Sequence, residues 1–443
     1  LADSIALAAG AVESAVALGA DEAEATLTVV ERFSVEARDR EVTTLEQSTG
    51  RSLTLRVFVD GKKATLATSD LSLDGLRKFA RETVEAARHV ANDPYAGLPE
   101  AQAFPGDGSA LEMYAADVRE RPNEAKIDDA LGLEALARAY DPRIVNSSGS
   151  HVVDVVATIT FANSKGFHGS YRGTQVTRDS APIAQDGASK RVAHYGSAAR
   201  GYASVEAVDS IARTAARRAV DMCGARKPQT TRCPVIFERD IAALVLSDVF
   251  SALNAANVAV GNSFLIGKGG HKIGSGLVTI FDDGRLAGGL GSAPFDSEGV
   301  PTRRTVVFRD GVLETFLYDT YYGRKLGAAS TGNASSGGVG PTNFYLQAGT
   351  ASLAALVEST ARGVLIVDTI GFSTESVTGT YSRGARGFMI ENGELSYPID
   401  EFTIAGNLVE MLAGIDAVAN DLRFDGSVVS PSFRVAEMTV SGT

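Results

Sequence analysis

The run Arg51-Ser-Leu-Thr-Leu-Arg-Val-Phe-Val59 decides how the chain begins to fold. Leu53, Leu55, Val57 and Val59 alternate with Ser52, Thr54, Arg56 and Phe58, and a period of two places successive side chains on opposite faces of a strand. Asp60-Gly61 follows at once and can take the positive φ values of a two-residue type I′ turn, so a hairpin is expected there. Working outward, the strand pattern extends from about Ala25 to Thr68. Before it, Ile5, Ala9, Val12 and Val16 recur at helical spacing and stop at Gly19, a C-cap. After it, Ser72 can cap a helix whose apolar stripe is Leu76, Phe79, Ala80, Val84 and Ala87, with Arg77, Arg81 and Arg88 on the opposite side. A helix laid across an antiparallel sheet is the simplest closure of this first unit, residues 1–92.

Pro94, Pro99, Pro105 and Pro122 mark 93–123 as a surface connection. A second α+β unit, 124–230, reads as a helix from Ile127 to Tyr140, a strand from Val152 to Phe161, strands with wide turns from Phe167 to Ser204, and a helix from Val205 to Met222. The third, 231–443, opens with a short strand, Cys233 to Phe237. A helix with Ile241, Leu244, Val245, Val249 and Ala252 on one face comes next. Gly-rich strands then follow, with hairpin signals at Asp283-Gly284, Asp310-Gly311 and Asn392-Gly393. The expected fold class is α+β, with a large β-rich C-terminal domain. Two stretches, Ala328 to Gly340 and Gly379 to Gly387, read as small-residue loops where backbone can approach a ligand or another chain.

The 443 residues are too many for one ordinary core. Hydrophobic content of 44% and charged content of 22% fit a globular chain and rule out wholesale disorder. A net charge of −12 leaves no overall attraction for nucleic acid or an anionic membrane. No run approaches the roughly 20 apolar residues of a membrane span, and the start lacks the basic segment of a signal peptide. With only Cys223 and Cys233, a disulfide framework is excluded and a cytoplasmic location is expected. An initiator methionine is expected to precede Leu1.

Local catalytic motifs are few. His89, His151, His168, His194 and His271 show no ligand-pair spacing, nor do the cysteines, so a metal site would have to be assembled from distant residues such as His168 and His194. Gly261 to Gly269 imitates a P-loop, but Gly269 stands where a Ser or Thr must hold magnesium. No Gly-x-Ser-x-Gly elbow occurs. The helix after Cys233 carries one anomaly: at 100° per residue Asp248 falls near the centre of the apolar stripe, which places a carboxylate on the buried side. Two readings stay open, a residue at a ragged edge or paired with an Arg, and a relic or variant of an active-site helix.

Longer blocks carry more. Phe295-Asp-Ser-Glu-Gly-Val300, Thr331-Gly-Asn333, Tyr381-Ser-Arg-Gly-Ala-Arg-Gly-Phe388, Ile390-Glu-Asn-Gly393 and Glu401-Phe-Thr-Ile-Ala-Gly-Asn407 resemble the blocks of the TldD/PmbA family, in particular its PmbA (TldE) branch. Ser34-Val-Glu-Ala-Arg38, Gly50 to Phe58, Pro431-Ser432 and Met438-Thr-Val440 extend the resemblance over nearly the whole chain. It implies a three-part chain acting in a cytoplasmic proteolytic complex. In the TldD branch a His-Glu-x-x-x-His helix and a later Cys bind the zinc that activates water. Here the matching helix is Asp240 to Ala256, where Ser247, Asp248 and Ala252 occupy the His, Glu and His positions, and no Cys lies near Asp425 to Ser430. Ser and Ala cannot replace two imidazoles, so no metal or cofactor is expected in this chain and zinc is expected in a TldD-like partner.

The implied role is the metal-free subunit of a metallopeptidase complex that processes or degrades unfolded peptides, paired with a TldD-like chain or with itself. The peptide is expected to add to a sheet edge. Gly332, Asn333, Ser382, Arg383 and Gly384 are candidates for lining the peptide chamber or the subunit interface, or else serve turn architecture alone. Two alternatives stand beside this role: a peptidase with a dispersed site or one using Asp248, and a homodimer that binds peptide without cutting it. The family's older description as a modulator of DNA gyrase is read as indirect, because the acidic chain offers no DNA-binding surface.

Overall fold

Alternation in the first unit produces β1 (Glu22–Arg38), β2 (Glu41–Val59) and β3 (Lys62–Thr68), all antiparallel. The structure is a computed structural model that describes residues 2–103, 105–106, 108–371 and 374–443. Asp60 (φ +48°) and Gly61 (φ +70°) form the expected tight turn, joining Val59 to Lys62 in register. Helix α1 (Ala2–Ala17) ends where Gly19, at φ +100°, lets the Ala20 N–H return to the Ala15 carbonyl. Helix α2 (Leu73–Arg88) starts at Ser72, whose hydroxyl accepts the Gly75 N–H at 3.1 Å. Its stripe packs into one core with Leu53, Leu55, Val57 and Val59.

The first two units do not close separate sheets. β4 (Ile144–Asn163) pairs with β1 from Glu24↔Asn163 to Ala37↔Ser150, giving one seven-stranded sheet in the order β3-β2-β1-β4-β5-β6. β5 is His168–Asp186, β6 Ser189–Val192, and β7 (Tyr195–Ala199) also pairs with β5. The cause is length: β1 has 17 residues, and at about 3.3 Å per residue it outruns the helices of its own unit. Its far half, Phe33, Val35 and Ala37, enters the core of the second unit with Leu133, Ala137, Ile211 and Ala215. Those residues come from α4 (Asn123–Ala139) and α5 (Val208–Asp221); a single turn, α3 (Asp117–Glu120), precedes α4.

In the third unit β8 (Thr231–Phe237) leads into α6 (Arg239–Leu253). One sheet runs β11-β10-β9-β14-β19, from Val312–Leu313, Arg304–Arg309, Ile280–Asp283, Phe344–Leu346 and Val428–Val429 respectively. Between them, β12 (Ala334–Ser335) and β13 (Gly338–Val339) form a two-residue hairpin ladder. The other sheet runs β17-β16-β15-β8-β20-β18, with β15 at Arg362–Ile370, β16 at Thr380–Glu391, β17 at Glu394–Asn407, β18 at Ile415–Val418 and β20 at Phe433–Ser441. β17 also pairs with β20, from Thr403↔Ser441 to Ala405↔Thr439, so five of these strands close into a ring.

Two sequence expectations change here. Asp310-Gly311 and Asn392-Gly393 make the tight turns expected, but Asp283-Gly284 does not, because the partner of β9 begins only at Arg304. Gly284 is small for another reason: a Cβ there would lie 2.5 Å from the Thr302 Cβ. And Gly379 to Gly387 is no loop. From Thr380 onward it is strand β16, with Tyr381, Arg383, Ala385, Gly387 and Met389 buried in strict alternation. Gly387 is required because a Cβ would sit 1.9 Å from the Leu365 carbonyl oxygen of β15.

Candidate functional site

Helix α6 buries Ile241, Val245, Val249 and Ala252 against the C-terminal core. Asp248 is half-buried, off the centre of this stripe, and it is paired with an Arg. Arg383 Nη2 donates to Asp248 Oδ2 at 2.7 Å and the Thr374 hydroxyl donates to the same oxygen at 2.9 Å. The alternation of β16 turns Arg383 inward, leaving it 6% exposed. Burial pushes the Asp248 carboxyl above its ordinary pKa, while Arg383 pulls the other way. Ser247 lies on the exposed side of α6, its hydroxyl donating to the Ala243 carbonyl one turn back. Ala252 is buried. Asp248, Ser251, Ala252, Phe264, Thr374 and Arg383 line a cavity of about 160 Å³.

This donor set fits a catalytic metal poorly. A zinc site needs about three protein ligands, and a guanidinium already neutralises the one carboxylate present. Among the described residues no group of three His, Cys, Asp or Glu side chains converges as ligands would. His168 opens β5, whereas His194 Nε2 lies 3.3 Å from Asp179 Oδ1, eleven residues further along that strand. At about 3.3 Å per residue the two histidines stand roughly 36 Å apart.

The other candidates lie elsewhere. Asn333 is 2% exposed, and its amide donates to Asp282 Oδ2 at 2.7 Å and to the Gly340 carbonyl at 3.0 Å. Thr342 adds a backbone and a hydroxyl donor to the same carboxylate, both at 2.8 Å. Burial raises the pKa of Asp282 against these donors. Gly332, at φ +78°, lies so close to Pro301 that a Cβ would come within 2.8 Å of its carbonyl oxygen. As placed, these two residues hold a buried loop together. Ser382 and Gly384 are half-buried in β16 beside Arg383, and of the five candidates only Arg383 lines the cavity at Asp248.

A larger cleft, of about 650 Å³, was not anticipated. Tyr195, Gly196 and Ala198 of β7 line it on one side, and Arg239, Leu244 and Val428 on the other. Among the described residues β7 pairs with β5 and β19 with β14, and the Gly196 carbonyl of β7 accepts from Arg423 Nη2 at 2.9 Å. At its polar end the Tyr195 hydroxyl donates to Glu206 at 2.9 Å and accepts from Arg239 at 2.9 Å and Arg423 at 2.8 Å. Tyr195, Arg239 and Arg423 are too far apart in sequence for any spacing to reveal them.

A β-rich C-terminal domain, joined to an N-terminal half built on one shared sheet, defines an α+β chain. Comparison with known proteins agrees in all three parts. Residues 23–87 match PmbA/TldA metallopeptidase domain 1, residues 116–222 the central domain, and residues 230–442 the C-terminal domain. The metalloprotease PmbA of Escherichia coli O157:H7 is 30% identical over 426 residues, covering 95% of this chain and 92% of that protein. A PmbA homologue of Haemophilus influenzae is 31% identical, covering 98% and 94%. Among solved structures, a candidate modulator of DNA gyrase from Bacteroides thetaiotaomicron superposes with a TM-score of 0.92 at 27% identity, covering 99% of this chain and 98% of that one. TldE of Thermococcus kodakarensis, at 21% identity and a TM-score of 0.89 over 97% and 99% of the two chains, shares the fold. The chain belongs to the PmbA/TldD family.

Proposed function

We propose that this chain is the metal-free, TldE-like subunit of a TldD/TldE-type peptidase complex of the cytoplasm, acting on unfolded peptides. The observation that carries the reading is the Asp248–Arg383 pair. Where the resemblance puts a zinc-binding helix, this chain offers Ser247, Ala252 and a carboxylate already held by a guanidinium. A divalent cation there would have to displace or repel Arg383. Zinc would therefore belong to a TldD-like partner. This chain's contribution is to bind and align peptide.

The 650 Å³ cleft supports that division of labour. An extended peptide can pair with a free strand edge through main-chain hydrogen bonds that ignore side-chain identity, and only an unfolded segment can present such a backbone. Apolar Leu244, Val428 and Val429 would cover its side chains. The size and apolar lining of the cleft also favour a second reading, a peptide-binding chain that never cuts.

Co-expression with a TldD-like chain from the same source, purification through a tag on this chain, and assay of zinc and of cleavage of an unfolded peptide test both. Zinc and cleavage only in the co-purified complex are the expected result. Binding without cleavage in every preparation would leave the second reading. Zinc or cleavage in the isolated chain would overturn the assignment, as would full activity of the partner alone.

A further inference from the structure

A guanidinium presents donors along two edges, and in this chain several arginines use both edges on carboxylates. Arg191 lies between Asp186 and Asp400, Arg386 between Asp368 and Asp400, Arg218 between Glu238 and Asp240, and Arg423 between Glu206 and Asp425. The side chains of these four are 17% to 32% exposed. Arg383 is deeper, with 6% of its side chain exposed, yet it holds Asp248 alone. Arg178 and Arg200 bond through both terminal nitrogens, Arg178 to Asp129 and the Glu206 carbonyl, Arg200 to the Thr174 and Leu290 carbonyls. Among the described residues Arg383 donates only from Nη2, to Asp248 Oδ2, and Nη1 has no acceptor. Its Nε is buried without a partner, as is the hydroxyl of Tyr381, two residues back on the same inward face of β16. Donors therefore outnumber acceptors at this point of the interior.

We infer that the cavity lined by Arg383 and Asp248 binds a carboxylate, so that Arg383 bridges the ligand to Asp248 as Arg191 bridges Asp186 to Asp400. The cavity has a volume of about 160 Å³, whereas a single water bridging unpaired groups needs only ~10–15 Å³. A charge-assisted bond to a guanidinium shielded from water is stronger than a neutral one, and Nη1 supplies it without breaking the pair with Asp248. Phe264 and Ala252 give the cavity apolar wall for the carbon that bears the carboxylate. Leu244, which lines the 650 Å³ cleft, stands one turn before Asp248 on α6, about 6 Å of helix rise away. The cavity and the cleft therefore lie along one side of that helix. The C-terminal carboxylate of a peptide and a free short-chain carboxylate share the required chemistry. The first source rests on the peptide-binding reading of the cleft; the carboxylate site itself does not.

Calorimetric titration of the full chain with N-acetylglycine and with N-acetylglycinamide isolates the charged group, and the acid should bind about tenfold or more tightly than the amide. An unfolded peptide with a free C-terminus, set against the same peptide amidated, separates the two sources. A tighter peptide acid identifies a chain end as the ligand; peptides that bind alike, with N-acetylglycine still bound, identify a free short-chain carboxylate. Arg383→Lys keeps a charge beside Asp248 but loses the second edge of the fork, and should weaken the acid about tenfold. Ser376→Phe fills the cavity from a half-buried side chain that makes no hydrogen bond among the described residues. It should abolish acid binding with far-ultraviolet circular dichroism unchanged, and it carries the test if Arg383→Lys does not fold. Acids that bind no better than their amides in both pairs overturn the proposal, as does acid binding unchanged in either folded variant. Peptides bound alike without N-acetylglycine binding would leave the reading of the cleft intact and remove this one. N-acetylglycine bound where no peptide binds would do the reverse.

Discussion

The two large sheets dispose of their edges in opposite ways. In the C-terminal domain β17 returns to β20, and five strands close on themselves with Tyr381, Ile404 and Val440 fully buried. In the N-terminal half the sheet stays open, and twelve residues of β2 stand in solvent. Closure pairs the sheet's edge strands with each other and tolerates only the side chains that fit inside, which is why Arg383 and Gly387 have narrow structural roles. An open edge leaves its hydrogen-bonding capacity for another chain. The molecule therefore has one half whose sheet closes on itself beside α6 and another whose sheet keeps an open edge.

The largest effect expected from breaking this contrast is at Gly387. A Val there would drive its Cβ into the Leu365 carbonyl, and Gly387→Val should cost about 4 kcal/mol or more, read as loss of folded protein or a large drop in denaturation midpoint. Next comes Arg383→Met, which strands the Asp248 carboxylate in a half-buried site. A loss of about 2–3 kcal/mol is expected, with Asp248→Asn combined with Arg383→Met recovering part of it in a double-mutant cycle. If the two substitutions simply add, the pair does not hold the helix to the ring.

Glu24 sharpens the comparison at the junction between halves. Arg56 of β2 holds it at 2.7 Å and reaches Glu298 of the C-terminal domain at 3.8 Å. Burial raises Glu24 from its ordinary 4.5 to about 7 despite Arg56. Folding then favours the protonated form, so the stability this residue contributes is present below pH 4.5 and falls as pH rises toward 7. Glu24→Gln should remove about 1–3 kcal/mol of that slope, measured as stability of the two proteins at several pH values. An identical slope in both would show that Glu24 stays ionised. The smallest effect belongs to Gly50, on the open edge, where a Cβ meets nothing within 4 Å. Gly50→Val should change stability by less than about 1 kcal/mol, in contrast to the same substitution at Gly387.

Much of the fold was legible. The alternation of Arg51 to Val59, the Asp60-Gly61 turn, the Ser72 cap and the stripe of α2 are local signals, and each appears in the structure where the residues put it. β16 was misread as a loop because glycines at 384 and 387 masked the alternation of Tyr381, Arg383, Ala385 and Met389. Small residues there answer a close backbone approach, which depends on β15 and not on neighbours in sequence. Asp283-Gly284 makes no tight turn because the strand that pairs with β9 begins only at Arg304, and Gly284 is small because a Cβ there would meet Thr302.

A carboxylate on the inward side of α6 was legible too, as Asp248. Its partner was not, because Arg383 lies 135 residues away and reaches Asp248 only through the inward face of a strand in the ring. The cleft at Tyr195 depends on three distant segments in the same way. What the sequence determined by itself was the set of elements, their faces, and the absence of a local ligand motif, since these follow from spacing along one segment. Only the tertiary structure decided that the first two units share a sheet, that a guanidinium neutralises the lone carboxylate, and that one long edge is left open. Those outcomes depend on which strands meet, and strand pairing is settled by burial and geometry over the whole chain.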